Sequence, residues 1–155
     1  MRILVIGANG RLGRACISAL LANSHVPVAL VRDKSTFPTD LAERCDGVVE
    51  TDARVAENIA EALRAHRCDG VIQAGGYTPF WVWETSELPL VFAATLDAAE
   101  MVGRERTVSQ QGGGDGDGDG DGDGDDILPE KRIRAWMICD LGMMDCPWSE
   151  TLLWH

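Results

Sequence analysis

The most constraining feature of the chain is its start. A short apolar run, Ile3-Leu4-Val5-Ile6, leads into Gly7-Ala8-Asn9-Gly10-Arg11-Leu12-Gly13, and a helical pattern follows. A second apolar run, Pro27-Val28-Ala29-Leu30-Val31, comes next, with Pro27 at the strand entrance, where proline is tolerated. Strand, tight turn, helix and strand in about thirty residues make a βαβ unit. Its crossover is almost always right-handed and leaves the two strands parallel. A parallel sheet needs cover on both faces, so the chain is committed to an α/β architecture.

The glycine spacing is G-x-x-G-x-x-G. Gly7 allows a sharp turn at the end of the strand. Gly10 removes a side chain where the backbone can approach a bound pyrophosphate, and Gly13 lets the new helix pack close to the sheet. The helix then offers N–H groups and its positive dipole end to phosphates. A glycine pattern alone is weak; the strand before it and the amphipathic helix after it supply the context it needs. The bland alternative is an ordinary strand–turn–helix with incidental glycines.

Further along, the pattern predicts a helix from Arg11 to about Asn23 with Leu12, Ala15, Cys16, Ala19 and Leu20 on its buried stripe. A short helix is expected over 40–44, capped by Thr39 or Asp40, and a third strand over 47–50. The next helix is expected from about Arg54 to His66, with Val55, Ile59, Ala62, Leu63 and His66 inward. His66 near its C-terminus reads as structural. A fourth strand over 69–73 ends in Ala74-Gly75-Gly76. A fourth helix runs from Thr85 or Ser86 to about Arg104, burying Val91, Ala94, Thr95, Ala98 and Val102. A fifth strand lies over 133–139. The predicted sheet order is 3-2-1-4-5, a Rossmann-like parallel arrangement, with the switch point between strands one and four.

After the second strand comes Arg32-Asp33-Lys34. Residues at this place meet the adenosine ribose: an acid takes the free 2′-OH of NAD, and an Arg accommodates the 2′-phosphate of NADP. Arg32 comes first after the apolar run, and Lys34 and Arg11 can join it, so NADP is favoured over NAD. Asp33, one place on, is the counter-argument. Tyr77-Thr78-Pro79-Phe80-Trp81-Val82-Trp83 reads either as the lining of an apolar substrate pocket suited to a flat aromatic compound or as a loop folding onto the core.

The stretch 7–13, with Val28-Ala29-Leu30-Val31-Arg32, Thr51-Asp52 and residues 69–76, resembles the atypical short-chain dehydrogenase/reductases, in particular the NmrA-like and isoflavone-reductase-like NAD(P)-binding proteins. The resemblance covers the first half of the chain well and the second half poorly. It implies that an acid at Asp52 holds the adenine amino group, alongside the alternative that Thr51 or Asp52 caps the next helix. It also implies that Ala74-Gly75-Gly76 is the small turn past which the nicotinamide runs. The cofactor-binding set is therefore Gly7, Asn9, Gly10, Arg11, Leu12, Gly13, Arg32, Asp52, Ala74, Gly75 and Gly76. The implied activity is NADP-dependent oxidation or reduction of a small molecule. The Tyr-x-x-x-Lys pair of short-chain dehydrogenases is missing: Tyr77 is the one tyrosine, and residue 81 is Trp. No catalytic residue is assigned. A non-catalytic dinucleotide sensor and an inactive, C-terminally shortened member are the alternatives.

Composition narrows the partners. The chain has 155 residues, 45% of them hydrophobic, enough for one domain with a core. No run of about 18 apolar residues occurs, so no membrane span is expected. No signal-peptide pattern follows the N-terminus, and the five cysteines (Cys16, Cys45, Cys68, Cys139, Cys146) are scattered. Reduced thiols and a cytoplasmic location are expected. The net charge of −11 is concentrated in Gly112–Asp126, which holds eight glycines and seven aspartates. Outside it, 18 acids of the total 25 face 14 bases, which offers nucleic acid nothing. The tract is expected to be a disordered linker between a core over 1–111 and a returning segment over 127–155. Its aspartates match the spacing of an EF-hand loop only as any Asp-Gly repeat does, and no metal site is assigned.

Overall fold

The computed structural model describes residues 1–75, 87–111 and 133–137. Five parallel strands form one sheet in the order β3-β2-β1-β4-β5. They are β1 (Arg2–Ile6), β2 (Val26–Val31), β3 (Gly47–Glu50), β4 (Gly70–Gln73) and β5 (Arg134–Met137). The helices are α1 (Arg11–Ala22), α2 (Thr39–Ala42), α3 (Ala56–Ala65) and α4 (Leu88–Gln111), with a 3-10 turn over Lys34–Thr36. The fold is the Rossmann-like arrangement expected from the first βαβ unit.

Side chains alternate along a strand, and here the alternation divides the core in two. Leu4, Ile6, Val28, Leu30 and Val71 face α3 and α4, where Ile59, Ala60, Leu63, Ala94, Ala98 and Val102 meet them. Ile3, Val5, Ala29 and Val31 face the other way, onto Ile17 and Leu20 of α1 and Leu41 of α2. β1 is thus buried on both faces and paired on both edges, with Ile3 opposite Pro27 on one side and Gly70 on the other.

Some helix faces differ from the sequence reading. On α1, Ala15 and Ala19 are exposed, while Gly13 and Ile17 are buried beside Leu20. The helix is rotated so that its one β-branched side chain, Ile17, enters the core. Val55 is 42% exposed and precedes α3 rather than joining its stripe. His66 ends α3, half-buried, with its ring against Gly47. α2 begins at Thr39, and the capping position is Pro38, not Thr39 or Asp40. α4 continues past Arg104 to Gln111. No helix among the described residues is long and apolar enough to cross a membrane.

Candidate functional site

Strand order reverses at β1, with α1 on one face of the sheet and α4 on the other, and in open α/β sheets the ligand crevice lies at such a switch point. Gly7 adopts φ +73, and a Cβ on it would lie 2.3 Å from Gly75 Cα. The turn after β1 and the turn after β4 therefore pack backbone against backbone. Gln73, fully buried, pins the second turn: its amide donates to Gly75 O (3.2 Å) and accepts from Gly75 N (2.8 Å). Ala74, also buried, donates its N–H to Ile6 O at 3.0 Å. A Cβ on Gly13 would lie 2.3 Å from Gly7 O, so α1 is held against the turn.

Gly10 is different. Its φ of −69 and ψ of 162 are open to any residue, it is exposed, and among the described residues a Cβ on it would meet only Gly7 O, at a tight 3.3 Å that a small shift relieves. The internal demand for glycine is weak at this one position of the motif. Gly10 is also the N-cap of α1, which has no side-chain cap and no acid in its first turn. The first turn of α1 thus carries no acid of its own to compete for the N–H groups that start it, and the bare Gly10 leaves room for an anion to reach them. Such a helix start is suited to an anion of the size of a phosphate group. Arg11 opens the helix, exposed, and Leu12 packs half-buried on the α1 side of the core.

The loop after β2 lies beside this turn. Arg32 is exposed at its start. Asp33 turns back on its own loop, accepting from Ser35 N (2.9 Å) and Ser35 Oγ (2.6 Å). These bonds hold its carboxyl below the ordinary value. Lys34 N donates to Glu50 Oε2 at 2.7 Å. Asn9 joins the two loops. Its Nδ2 donates to Thr36 Oγ1 (2.9 Å), its Oδ1 accepts from Arg14 Nη2 (2.7 Å), and its carbonyl accepts from Arg14 Nε (2.9 Å). Asn9 is a bridge whose amide is engaged at both ends.

At the end of β3, Asp52 accepts from Arg54 Nε (2.9 Å to Oδ1), Arg54 Nη2 (2.6 Å to Oδ2) and Arg54 N (2.9 Å). The side-chain bonds from Arg54 dominate and push its carboxyl down to about 2, with a smaller pull from Arg32. Asp52 does not cap α3, whose N-cap is Val55; it closes the turn before it. Arg54 Nη1 also reaches Glu87 Oε1 at 2.5 Å, just before α4.

The structure therefore gathers Gly7, Asn9, Gly10, Arg11, Gly13, Ala74 and Gly75 at the ends of β1 and β4, with Arg32 and Asp52 at the ends of β2 and β3. Gly76, the aromatic stretch 77–83 and the tract 112–126 lie outside the described residues. Sequence reasoning missed Arg14, Thr36, Glu50, Arg54 and Gln73. Of these, Gln73 alone carried a local signal, a polar residue ending an apolar strand. Cys16 and Cys45 are half-buried, and burial raises both thiols, which removes the thiolate character a reactive cysteine needs.

A family model described as NAD(P)H-binding matches residues 7–136. A 3-diazoavenalumate denitrifying reductase from a Streptomyces species is 40% identical over 72 residues, covering 46% of this chain and 22% of that protein. Leucoanthocyanidin reductase from Vitis vinifera, solved as a binary complex with NADPH, is 23% identical with a TM-score of 0.53, covering 66% of this chain and 33% of that one. UDP-glucose 4-epimerase from Thermus thermophilus, solved with NAD, is 22% identical with a TM-score of 0.53, covering 66% and 35%. At these identities the two structures match the fold. The chain spans between 22% and 35% of the length of these relatives.

Proposed function

Because this chain belongs to the NAD(P)H-binding family, we propose that its glycine turn holds the pyrophosphate of a nicotinamide dinucleotide in a reductase acting on a small molecule. The observation that carries the reading is Gly10: an exposed glycine that its own fold hardly requires, at an uncapped helix start. The reductase class is supported by the similarity to the Streptomyces reductase over 72 residues of the chain. In this reading the N–H groups opening α1 bind the pyrophosphate, and Gly7 and Gly75 keep the crevice floor free of side chains. Asp52 faces the adenine end. The bound nicotinamide supplies the hydride, and the protein orients it. NADP(H) is the form that Arg32, exposed at the start of the loop after β2, favours.

Titration with NADPH and NADH, followed by cofactor fluorescence, tests this. Binding of either is expected, and Gly10→Trp is expected to abolish it while leaving the melting transition in place. A folded wild-type sample that binds neither overturns the reading.

A further inference from the structure

We propose that Glu50, at the end of β3, is a specificity-determining residue that opposes a 2′-phosphate on the cofactor's ribose. This rests on the dinucleotide reading above. Val31 and Glu50 are paired across the sheet, so Glu50 stands beside the last residue of β2, where the ribose loop begins. Its carboxylate reaches into that loop and accepts from Lys34 N at 2.7 Å. The next amide, Ser35 N, is taken by Asp33 at 2.9 Å. Two consecutive backbone N–H groups, the donors a phosphate would seek in such a loop, are filled by the protein's own acids.

The two acids are not equivalent. Asp33 caps the 3-10 turn that it precedes and also binds the Ser35 hydroxyl, so it belongs to the loop's local fold. Glu50 comes from another strand, on a longer and exposed side chain, and makes one bond across the gap. A ribose 2′-OH can donate to such a carboxylate. A 2′-phosphate cannot: it arrives as a second anion and must displace Glu50 from Lys34 N or remain close to its charge. Arg32 attracts the phosphate and Glu50 repels it. Selectivity is then a difference between two opposed contacts, one from the residue after β2 and one from the end of β3. A rule that looks only just after β2 sees the first and not the second.

The test uses Glu50→Gln, which keeps the shape and an acceptor oxygen for Lys34 N while removing the charge. Four ligands are titrated onto the full chain: NADPH and 2′,5′-ADP, which carry the phosphate, and NADH and 5′-AMP, which do not. The expected result is a gain of about fivefold for the first pair at low salt, the size of one exposed like-charge contact, with the gain shrinking as salt screens it. The second pair should change by less than about twofold, within the few tenths of a kcal/mol that a surface change brings. Arg32→Ala should move the ratio the other way. A ratio that Glu50→Gln leaves unchanged, whether all four affinities stay or fall together, overturns the inference and leaves the dinucleotide site standing. Failure of wild type to bind any of the four overturns the site and the inference with it.

Discussion

At Gly13 and Gly10, three positions apart, the same substitution has different consequences. A methyl on Gly13 would stand 2.3 Å from Gly7 O and 2.7 Å from Ala8 Cα, both backbone, so α1 must back away from the sheet. Gly13→Ala is expected to cost about 2 kcal/mol in urea unfolding, in the range of overpacked cores. Gly10→Ala should cost under about 1 kcal/mol, the difference between glycine and alanine at a helix start. It should nonetheless weaken dinucleotide binding; undiminished affinity in Gly10→Ala would count against a pyrophosphate there. Asp52 gives a prediction in pH. Its folded value of about 2 lies below the ordinary 3.8, so its contribution is complete above about 4 and is lost as pH falls toward 2. Asp52→Asn should lower stability at pH 7, flatten the pH dependence between about 4 and 2, and match wild type at the acid end. Acid titration of the urea midpoint measures all three.

At the scale of elements, α1 and α3 end alike. Ser24 follows α1 at φ 59 and Arg67 follows α3 at φ 50, each in the left-handed region without being glycine. The backbone turns there because helix-end carbonyls are met: His25 N donates to Leu20 O and Cys68 N to Leu63 O, both at 2.9 Å. Ser24→Gly should therefore raise stability by about 0.5–1 kcal/mol, seen as a higher urea midpoint with an unchanged slope. The same elements show what was legible in the sequence. β3 reads correctly because the β-branched pair Val48-Val49 stands between polar neighbours, with Gly47 before it and Glu50 after it. The α1 stripe reads wrongly because Ala15 and Ala19 tolerate water as well as burial, so they do not fix the helix's rotation; Ile17 does. The glycine turn is legible because its residues are contiguous. Glu50 at Lys34, Arg54 at Glu87 and Thr36 at Asn9 are not, because those contacts join segments that only the folded sheet brings together.

For the whole molecule, the order β3-β2-β1-β4-β5 follows from one right-handed crossover repeated on each side of β1. The switch point lies there, and so do the two glycine turns. Ion pairs tie the outer parts to one another: Arg64 with Glu105 joins α3 to α4, and Arg54 with Glu87 joins the segment after β3 to the start of α4. The strand at the centre is also the first to be made. Arg2 N meets its partner Asp69 across 67 residues of chain. At a synthesis rate of about 5–20 residues per second, β1 waits roughly 3–13 s for β4 to be translated, with β2 alone beside it. β4 then waits a similar time for β5. Throughout that interval an apolar strand edge is open in the nascent chain, a template for mispairing that closes only when β4 arrives to cover it.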